Sequence, residues 1–566
     1  MSDFGETFDW VIVGSGAGAM ASALVMRQAG KSVVILEKAP LVGGTTAKSG
    51  GVAWVPNNSF MAAAGDKDSV EAAALYLDTL IGDGADSPGT SPEKRLAYLT
   101  EAPRMLDFLV AQGIRLERAA AFWPDYYDEL PGACKTTRCV VAHPFDTNAL
   151  GPWRDRLRPG WLAMPATIDE GKTLSFYKIS WAARWMFLKI ALKTIAARLT
   201  GKRIVSAGAA LQGRLLKAVL DSGAEIRTEA PVSELVLDAG RVTGVVAVVD
   251  GRPCRVGARL GVLVSAGGFG RNQAMRDIYM PGTRAEWSQT CESDTGDMHV
   301  EMERVGGVLA QMDQMVGYQC SPAPGPEFQD PMPSVQSITG KPHAILVDQS
   351  GSRYLNEGGS YKLYCETMFA RNETVPAVPS WAIFDAQFID KYMLAGTFPG
   401  RKKPAAWTAE GYLRQAASIG ELAALIDIAP AALEATVARW NGHVEKGVDA
   451  DFHRGERAYD EWLGDPYHEP HKALGSIGTA PFYAVPVLPG DVSTFGGVVT
   501  DAYARVLRED GTPIEGLYAT GVSTASVMGK VYPGAGASIG PALTFGFVAA
   551  KYAAGLDNQT LQSAQP

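Results

Sequence analysis

The sequence predicts an α/β fold in which one nucleotide-binding domain is built from both ends of the chain, with an α+β domain inserted between them. Three observations predict it. First, the chain opens as strand, glycine turn, helix, strand: residues 8–13 (FDWVIV), the turn GSGAGA, an Ala/Met/Leu-rich helix to Gly30, and an apolar run over 32–36 that ends at Glu37. Second, two later apolar runs also end in glycine turns, 261–266 before Gly267-Gly268 and 516–519 before Thr520-Gly521. Third, 566 residues with 46% hydrophobic and 20% charged side chains form a globular chain with a large core, of two to four domains at about 150 residues each.

Taken in order, residues 1–284 are expected to form the first part of the nucleotide-binding domain and 285–482 the inserted substrate domain. Residues 483–566 complete the first domain. Within the insertion, helices are expected over 419–426 and 431–444, the second starting after Pro430, whose missing N–H costs nothing at a helix start. A last helix is expected over 538–550. Between 171 and 220 stand ten Lys or Arg and no acid, interleaved with Phe176, Tyr177, Trp181, Trp185, Met186 and Phe187. Two readings stay open for its core, 171–205: a solvated insertion, or a surface that attaches to a membrane.

Charge and cysteine usage exclude several classes. The net charge is −9, from 52 basic and 61 acidic residues, which argues against nucleic-acid binding. The six cysteines form no CxxC pair and no metal-ligand spacing, so reduced thiols, a cytoplasmic setting and no metal are expected. The acidic start carries no signal-peptide pattern, and no run of about 18 apolar residues suggests a span. The expected location is the cytoplasm, or peripherally the inner face of the membrane.

Gly14-Ser15-Gly16-Ala17-Gly18-Ala19 has the G-x-G-x-x-G/A form. Gly14 permits the turn, Gly16 lets a diphosphate approach the backbone, and the small Ala19 allows close helix–strand packing. The phosphates would rest at the helix N-terminus, with Glu37 placed to hold a ribose hydroxyl. Lys38 follows, and then a loop of small residues, Gly43-Gly44-Thr45-Thr46-Ala47-Lys48-Ser49-Gly50-Gly51, suited to a flavin rather than a nicotinamide.

That loop, Thr295-Gly296-Asp297-Met298 and the C-terminal Tyr532-Pro533-Gly534-Ala535-Gly536-Ala537 resemble the FAD-dependent 3-ketosteroid Δ1-dehydrogenases, within the fumarate reductase flavoprotein group. The resemblance implies a Rossmann-like FAD-binding domain with a substrate-binding cap, and FAD held without a covalent bond. No histidine lies in the loop to make such a bond. It implies cofactor contacts from Gly14 to Ala19, Glu37, Lys38, Gly44, Thr45, Thr46, Ser49, Gly50 and Gly51. It extends them to Ala266, Gly267, Gly268, Asp297, Gly521, Ala537, Ser538 and Ile539.

Trp123-Pro124-Asp125-Tyr126 and Asn356-Glu357-Gly358-Gly359-Ser360-Tyr361 also resemble stretches of that family, and by the same resemblance Tyr126, Tyr361, Tyr532 and Gly536 are catalytic, with Tyr127 as the fallback for Tyr126. Tyr532 and the Gly536 N–H would hold the C3 oxygen of a 3-ketosteroid, and Tyr361, supported by Tyr126, would take the C2 proton. A quinone or another acceptor would receive the electrons. Ser493 stands where dicarboxylate reductases of the group carry a histidine, which counts against a fumarate-type substrate. The alternatives are dehydrogenation at C4–C5 of a 5α-reduced 3-ketosteroid, or a flavoprotein reductase or electron relay.

Overall fold

The computed structural model describes residues 4–84, 87–119, 123–249, 251–325 and 332–556. The chain begins with strand β1 (Glu6–Val13), helix α1 (Ala17–Gln28), β2 (Val33–Leu36) and a short α2 (Gly44–Lys48). Helices α3 (Pro92–Ala111), α4 (Ile168–Leu174) and α5 (Trp181–Leu199) follow, then the long β3 (Arg252–Val264) and α6 (Tyr361–Asn372). Strands β4 (Phe482–Thr494) and β5 (Pro513–Ala519) and helix α7 (Ile539–Ala553) complete the framework.

The principal sheet runs in the order 505–507, β5, β3, β1, β2, 225–227, with an antiparallel hairpin over 232–249 extending from β3. Pairing in its centre is parallel: Val13 faces Val264 and Leu36, and Val264 faces Ala519. At their C-terminal ends these strands are buried apolar runs, residues 10–13, 33–36 and 262–264, as a sheet covered on both faces requires. The parallel strands come from widely separated stretches of chain, and their C-terminal ends gather on one edge, where open α/β sheets bind ligands. Helix α1 packs on α7 at van der Waals limits: a Cβ on Gly18 would lie 2.4 Å from the Ala542 carbonyl oxygen, and one on Gly546 would lie 2.2 Å from that of Gly18. Ala19, the residue after Gly18 in α1, is fully buried.

A second, antiparallel sheet runs 315–320, β4, 380–385, 344–347, with 414–416 also on β4. Every residue of β4 from Phe482 to Val487 pairs with 380–385, and Leu488 to Thr494 pair with 315–320. The boundary expected at 483 thus falls inside the ladder of the second sheet, and the chain leaves that sheet only after Thr494. Helices Ile419–Leu425 and Pro430–Lys446 lie close to their expected places. The last helix begins at Ile539, with Ala537 and Ser538 in the preceding turn.

Candidate active site

The phosphate end is built from glycine. Gly14 has φ +92°, and a Cβ there would strike the Ser265 carbonyl oxygen at 2.3 Å. Gly16 caps α1 with no side-chain hydrogen bond, and a Cβ on it would meet nothing nearer than 3.9 Å. Space is therefore open above unshared helix N–H groups, the arrangement that receives a diphosphate. Ser15 Oγ donates to Glu37 Oε2 at 2.5 Å and accepts from Gly43 N–H at 2.9 Å. Glu37 is buried and also accepts from Ala39 N–H at 2.9 Å, which holds the carboxylate at the end of β2.

Beyond it, α2 starts after Gly43 and carries Gly44, Thr45 and Thr46. Ser49 Oγ bonds the Thr46 carbonyl at 2.7 Å and accepts from Gly51 N–H at 3.0 Å, shaping the turn through Gly50. Thr45 Oγ1 donates to Asp294 Oδ2 at 2.9 Å. Asp294 also presses on Gly267, where a Cβ would meet its Oδ1 at 2.0 Å; burial pushes its carboxyl up to about 6. Lys38 and Asp297 pair with each other at 2.7 Å, so these two expected contacts are engaged together, with Thr295. Ala266 N–H donates to Ser523 Oγ at 3.0 Å, and a Cβ on Gly268 would meet Thr494 Oγ1 at 2.0 Å.

A cleft at the N-terminus of α7 is lined by Lys94, Phe495, Gly521, Thr524, Ala537 and Ser538. Three of these are among the expected cofactor residues, and Ile539 is the first residue of the helix behind them. Lys94 is buried, and among the described residues its Nζ has no hydrogen-bond partner; burial brings its ammonium down to about 7. Uncapped helix N-termini, glycine-lined space and an unpaired buried cation fit an anionic dinucleotide.

Tyr126, Tyr361 and Tyr532 meet. Ring centroids are 5.2 Å apart for Tyr126–Tyr361, 5.5 Å for Tyr361–Tyr532 and 6.1 Å for Tyr126–Tyr532. Tyr361 is the first residue of α6. Tyr532 lies in the turn before α7, its oxygen 3.1 Å from Ser538 Oγ. Tyr126 is held from both sides: its N–H donates to the Pro533 carbonyl at 2.9 Å, which Tyr76 Oη also reaches at 2.7 Å. The adjacent Asp125 is buried, bonded to Arg138 at 2.6 Å, Trp54 Nε1 at 2.8 Å and Cys134 N–H at 2.9 Å. Burial pushes Asp125 upward, and Arg138 opposes it.

Burial is the largest influence on all three tyrosines and raises each hydroxyl. At Tyr361 the neighbouring Tyr126 hydroxyl opposes that rise, and the Tyr532 hydroxyl adds to it. Gly536 has φ +87°, and a Cβ on it would lie 2.3 Å from the Val52 carbonyl oxygen. Among the described residues its N–H donates to no protein acceptor. Tyr127 lies beside the group, its hydroxyl raised by burial, with the nearby Ser360 side chain opposing the rise.

The FAD binding domain family matches residues 9–539. A 3-oxosteroid 1-dehydrogenase of Mycolicibacterium smegmatis is 36% identical over 565 residues, 96% of this chain and 97% of its own length. The chain belongs to the 3-ketosteroid Δ1-dehydrogenase family of FAD-binding flavoproteins. It is accordingly an FAD-dependent oxidoreductase. The 3-ketosteroid Δ1-dehydrogenase of Sterolibacterium denitrificans, solved with 1,4-androstadiene-3,17-dione, is 34% identical with TM-score 0.89, covering 97% of this chain and 100% of that one. The 3-ketosteroid-Δ4-(5α)-dehydrogenase of Rhodococcus jostii, 21% identical with TM-score 0.64 over 98% of each chain, shares the fold.

Several residues of the site carry no signal in the sequence. Tyr459 lies tilted against Tyr126 with ring centroids 4.4 Å apart, and Tyr318 meets Tyr361 edge-on at 5.2 Å. Lys94 and Asp294 are as unremarked in sequence, whereas Asp125 stands inside the Trp123-Pro124-Asp125-Tyr126 stretch that located its neighbour. Ser493 turns its hydroxyl to the Thr494 carbonyl at 2.6 Å rather than offering it to a ligand. Among the described residues one group, His443, Asp449 and Asp451, has metal-type donors. Its carboxylates are taken by Arg353 and Arg439.

Proposed function

We propose that this protein removes one hydrogen each from C1 and C2 of a 3-ketosteroid, turning a 4-ene-3-one into a 1,4-diene-3-one. The observation that carries the reading is the convergence of the Tyr126, Tyr361 and Tyr532 rings. It agrees with the steroid dienone bound by the Sterolibacterium denitrificans relative. FAD, when bound, supplies the acceptor for the C1 hydride.

The residues of this chain do the rest. A C2 proton beside a ketone is weakly acidic until the carbonyl is polarised. On this reading Tyr532 Oη and the Gly536 N–H donate to the C3 oxygen, and the N-terminus of α7, which follows them in the chain, favours the negative charge that gathers there. Tyr361 Oη takes the C2 proton. Its burial makes the phenolate costly, so it depends on Tyr126 donating a hydrogen bond to it. Both phenols sit among aromatic rings that exclude water, where each hydrogen bond counts for more. The roles of Lys38, Asp297 and the glycine turns belong to holding the cofactor, and a quinone or another acceptor takes its electrons. A place on the inner face of the membrane belongs to the same reading.

The test is to mix oxidised protein anaerobically with a 4-ene-3-ketosteroid and follow flavin absorbance and product. Loss of absorbance with a 1,4-diene-3-one supports the assignment. Loss only with a 5α-reduced 3-ketosteroid moves the chemistry to C4–C5, and loss with neither removes the steroid reading.

A further inference from the structure

Lys94 stands in the first turn of α3, buried, and among the described residues its Nζ finds no hydrogen-bond acceptor. The ring of Phe545 on α7 lies 5.5 Å from it, and an aromatic face is a weak substitute for an anion. The polar side chains that line the same cleft are engaged elsewhere. Thr524 Oγ1 donates to the Gly521 carbonyl at 2.7 Å, Ser526 Oγ accepts from Met528 N–H at 3.0 Å, and Ser538 Oγ meets Tyr532 Oη at 3.1 Å. Asp501 is the carboxylate whose charge reaches Lys94. It is held by Arg505 Nε at 2.7 Å and by the Tyr503 and Arg505 N–H groups at 2.9 Å. A buried ammonium left in this state is costly. The cleft is therefore built for a negative charge that the chain itself does not supply.

Two contacts decide which part of the cofactor would meet it. Ser538 on the cleft wall bonds Tyr532, and Phe495, another lining residue, has its ring 6.1 Å from that of Tyr532. The cleft thus abuts the tyrosine cluster, whereas the diphosphate cradle lies at Gly14, Gly16 and the N-terminus of α1. The part of FAD that exchanges hydride with a substrate is the isoalloxazine ring, and it has to lie beside the residues that hold that substrate. On taking up a hydride, which is two electrons and one proton, the neutral ring gains one negative charge. We propose that Lys94 is the counter-charge of the reduced flavin: its ammonium, together with the N-terminus of α7, stabilises the ring after hydride uptake and so raises its two-electron potential. The choice of the ring over the diphosphate rests on the proposed role of the tyrosines.

The two positions predict different behaviour. A diphosphate carries the same charge in both oxidation states, so a cation facing it would tighten cofactor binding and favour neither state. A cation facing the ring acts on the difference between the states, because only the reduced ring is charged. Burial keeps that interaction from being screened by salt. It also accounts for a lysine in a place where the protein without its cofactor gains nothing from the charge.

The test is the flavin midpoint potential of the holoenzyme by dye equilibration, read beside its affinity for sulfite, which adds to oxidised flavin and leaves the ring with the same negative charge. Neither measurement uses a steroid, so failure of the steroid chemistry would leave both results standing. Lys94→Met is expected to weaken sulfite binding about tenfold or more, and to lower the midpoint by about 30 mV for each factor of ten. Lys94→Arg, which keeps the charge, should stay near wild type in both. An unshifted midpoint and sulfite affinity in flavin-loaded Lys94→Met overturns the proposal. So does a weaker hold on FAD with the midpoint unchanged, which would turn Lys94 toward the diphosphate. Lys94→Gln keeps a polar atom in the cleft and is measured alongside. Loss of flavin from both Lys94→Met and Lys94→Gln would assign Lys94 to retaining the cofactor and equally overturn the proposal.

Discussion

Replacing Tyr361 with phenylalanine separates its proposed work from its packing. The ring keeps its neighbours, at 5.2 Å from Tyr126, 5.2 Å from Tyr318 and 5.5 Å from Tyr532, and only one oxygen leaves a nearly buried position. The stability change is then that of stranding the Tyr126 hydroxyl, about 1–3 kcal/mol. Loss of a general base costs about 10²–10⁴ in rate, or about 3–5 kcal/mol of barrier. Two assays read the base directly. The first is exchange of C2 hydrogen for deuterium in a 4-ene-3-ketosteroid, which requires proton removal whether or not hydride leaves. The second is the pH profile of kcat/KM. Burial holds Tyr361 protonated at neutral pH, so the wild-type rate should climb with pH, toward tenfold per unit, through the alkaline range. Tyr361→Phe should keep bound flavin, lose C2 exchange and lose that climb. A variant with wild-type exchange, or with the same alkaline slope, would assign the base to another group.

Other outcomes follow from the same geometry. Tyr532→Phe should lower kcat by about 10²–10³ with little change in KM, because the donor acts mainly as charge develops on the carbonyl; steady-state kinetics with intact flavin content check it. Asp125→Asn leaves Arg138 buried with Asp68 as its one remaining carboxylate partner. It should destabilise the protein by about 3 kcal/mol, read as a lower Tm, with activity falling as Tyr126 loses its support. For Lys94, the ammonium titrates at about 7 when folded against 10.5 ordinarily, so the unfolded chain binds the extra proton between those values and stability rises with pH across that window. In FAD-free protein Lys94→Met should therefore exceed wild type at pH 7 by on the order of 4 kcal/mol, with the gap closing toward pH 10; equal urea midpoints at pH 7 would refute the buried charge.

The opening βαβ unit was legible because its apolar runs and glycine turn are local signals, and Glu37 stands at the strand end that the pattern requires. The three tyrosines were legible through short flanking motifs, and the structure brings them together. Strand β4 was harder to place, since Pro486 and Pro489 lack the N–H that a central strand donates and mask its continuity. Helix α5 shows little net amphipathicity because apolar side chains point both inward, as Ile190 does, and outward, as Leu192 does. Tyr318, Tyr459, Lys94 and Asp294 sit in ordinary local contexts and acquire meaning from partners far along the chain, such as Tyr361, Tyr126, the α7 turn and Gly267.

The tyrosine cluster draws one member from the loop after α3, one from the start of α6 and one from the turn before α7. No contiguous fragment therefore contains a working site, and closing the loops between these members is an entropic cost met only when distant segments dock. Strand pairing and helix formation can be complete while the cluster is still open. Enzymatic competence is then a late reporter of assembly: on refolding, recovery of turnover should trail recovery of secondary structure, and cleavage of the chain between any two of the three tyrosines should silence each half on its own.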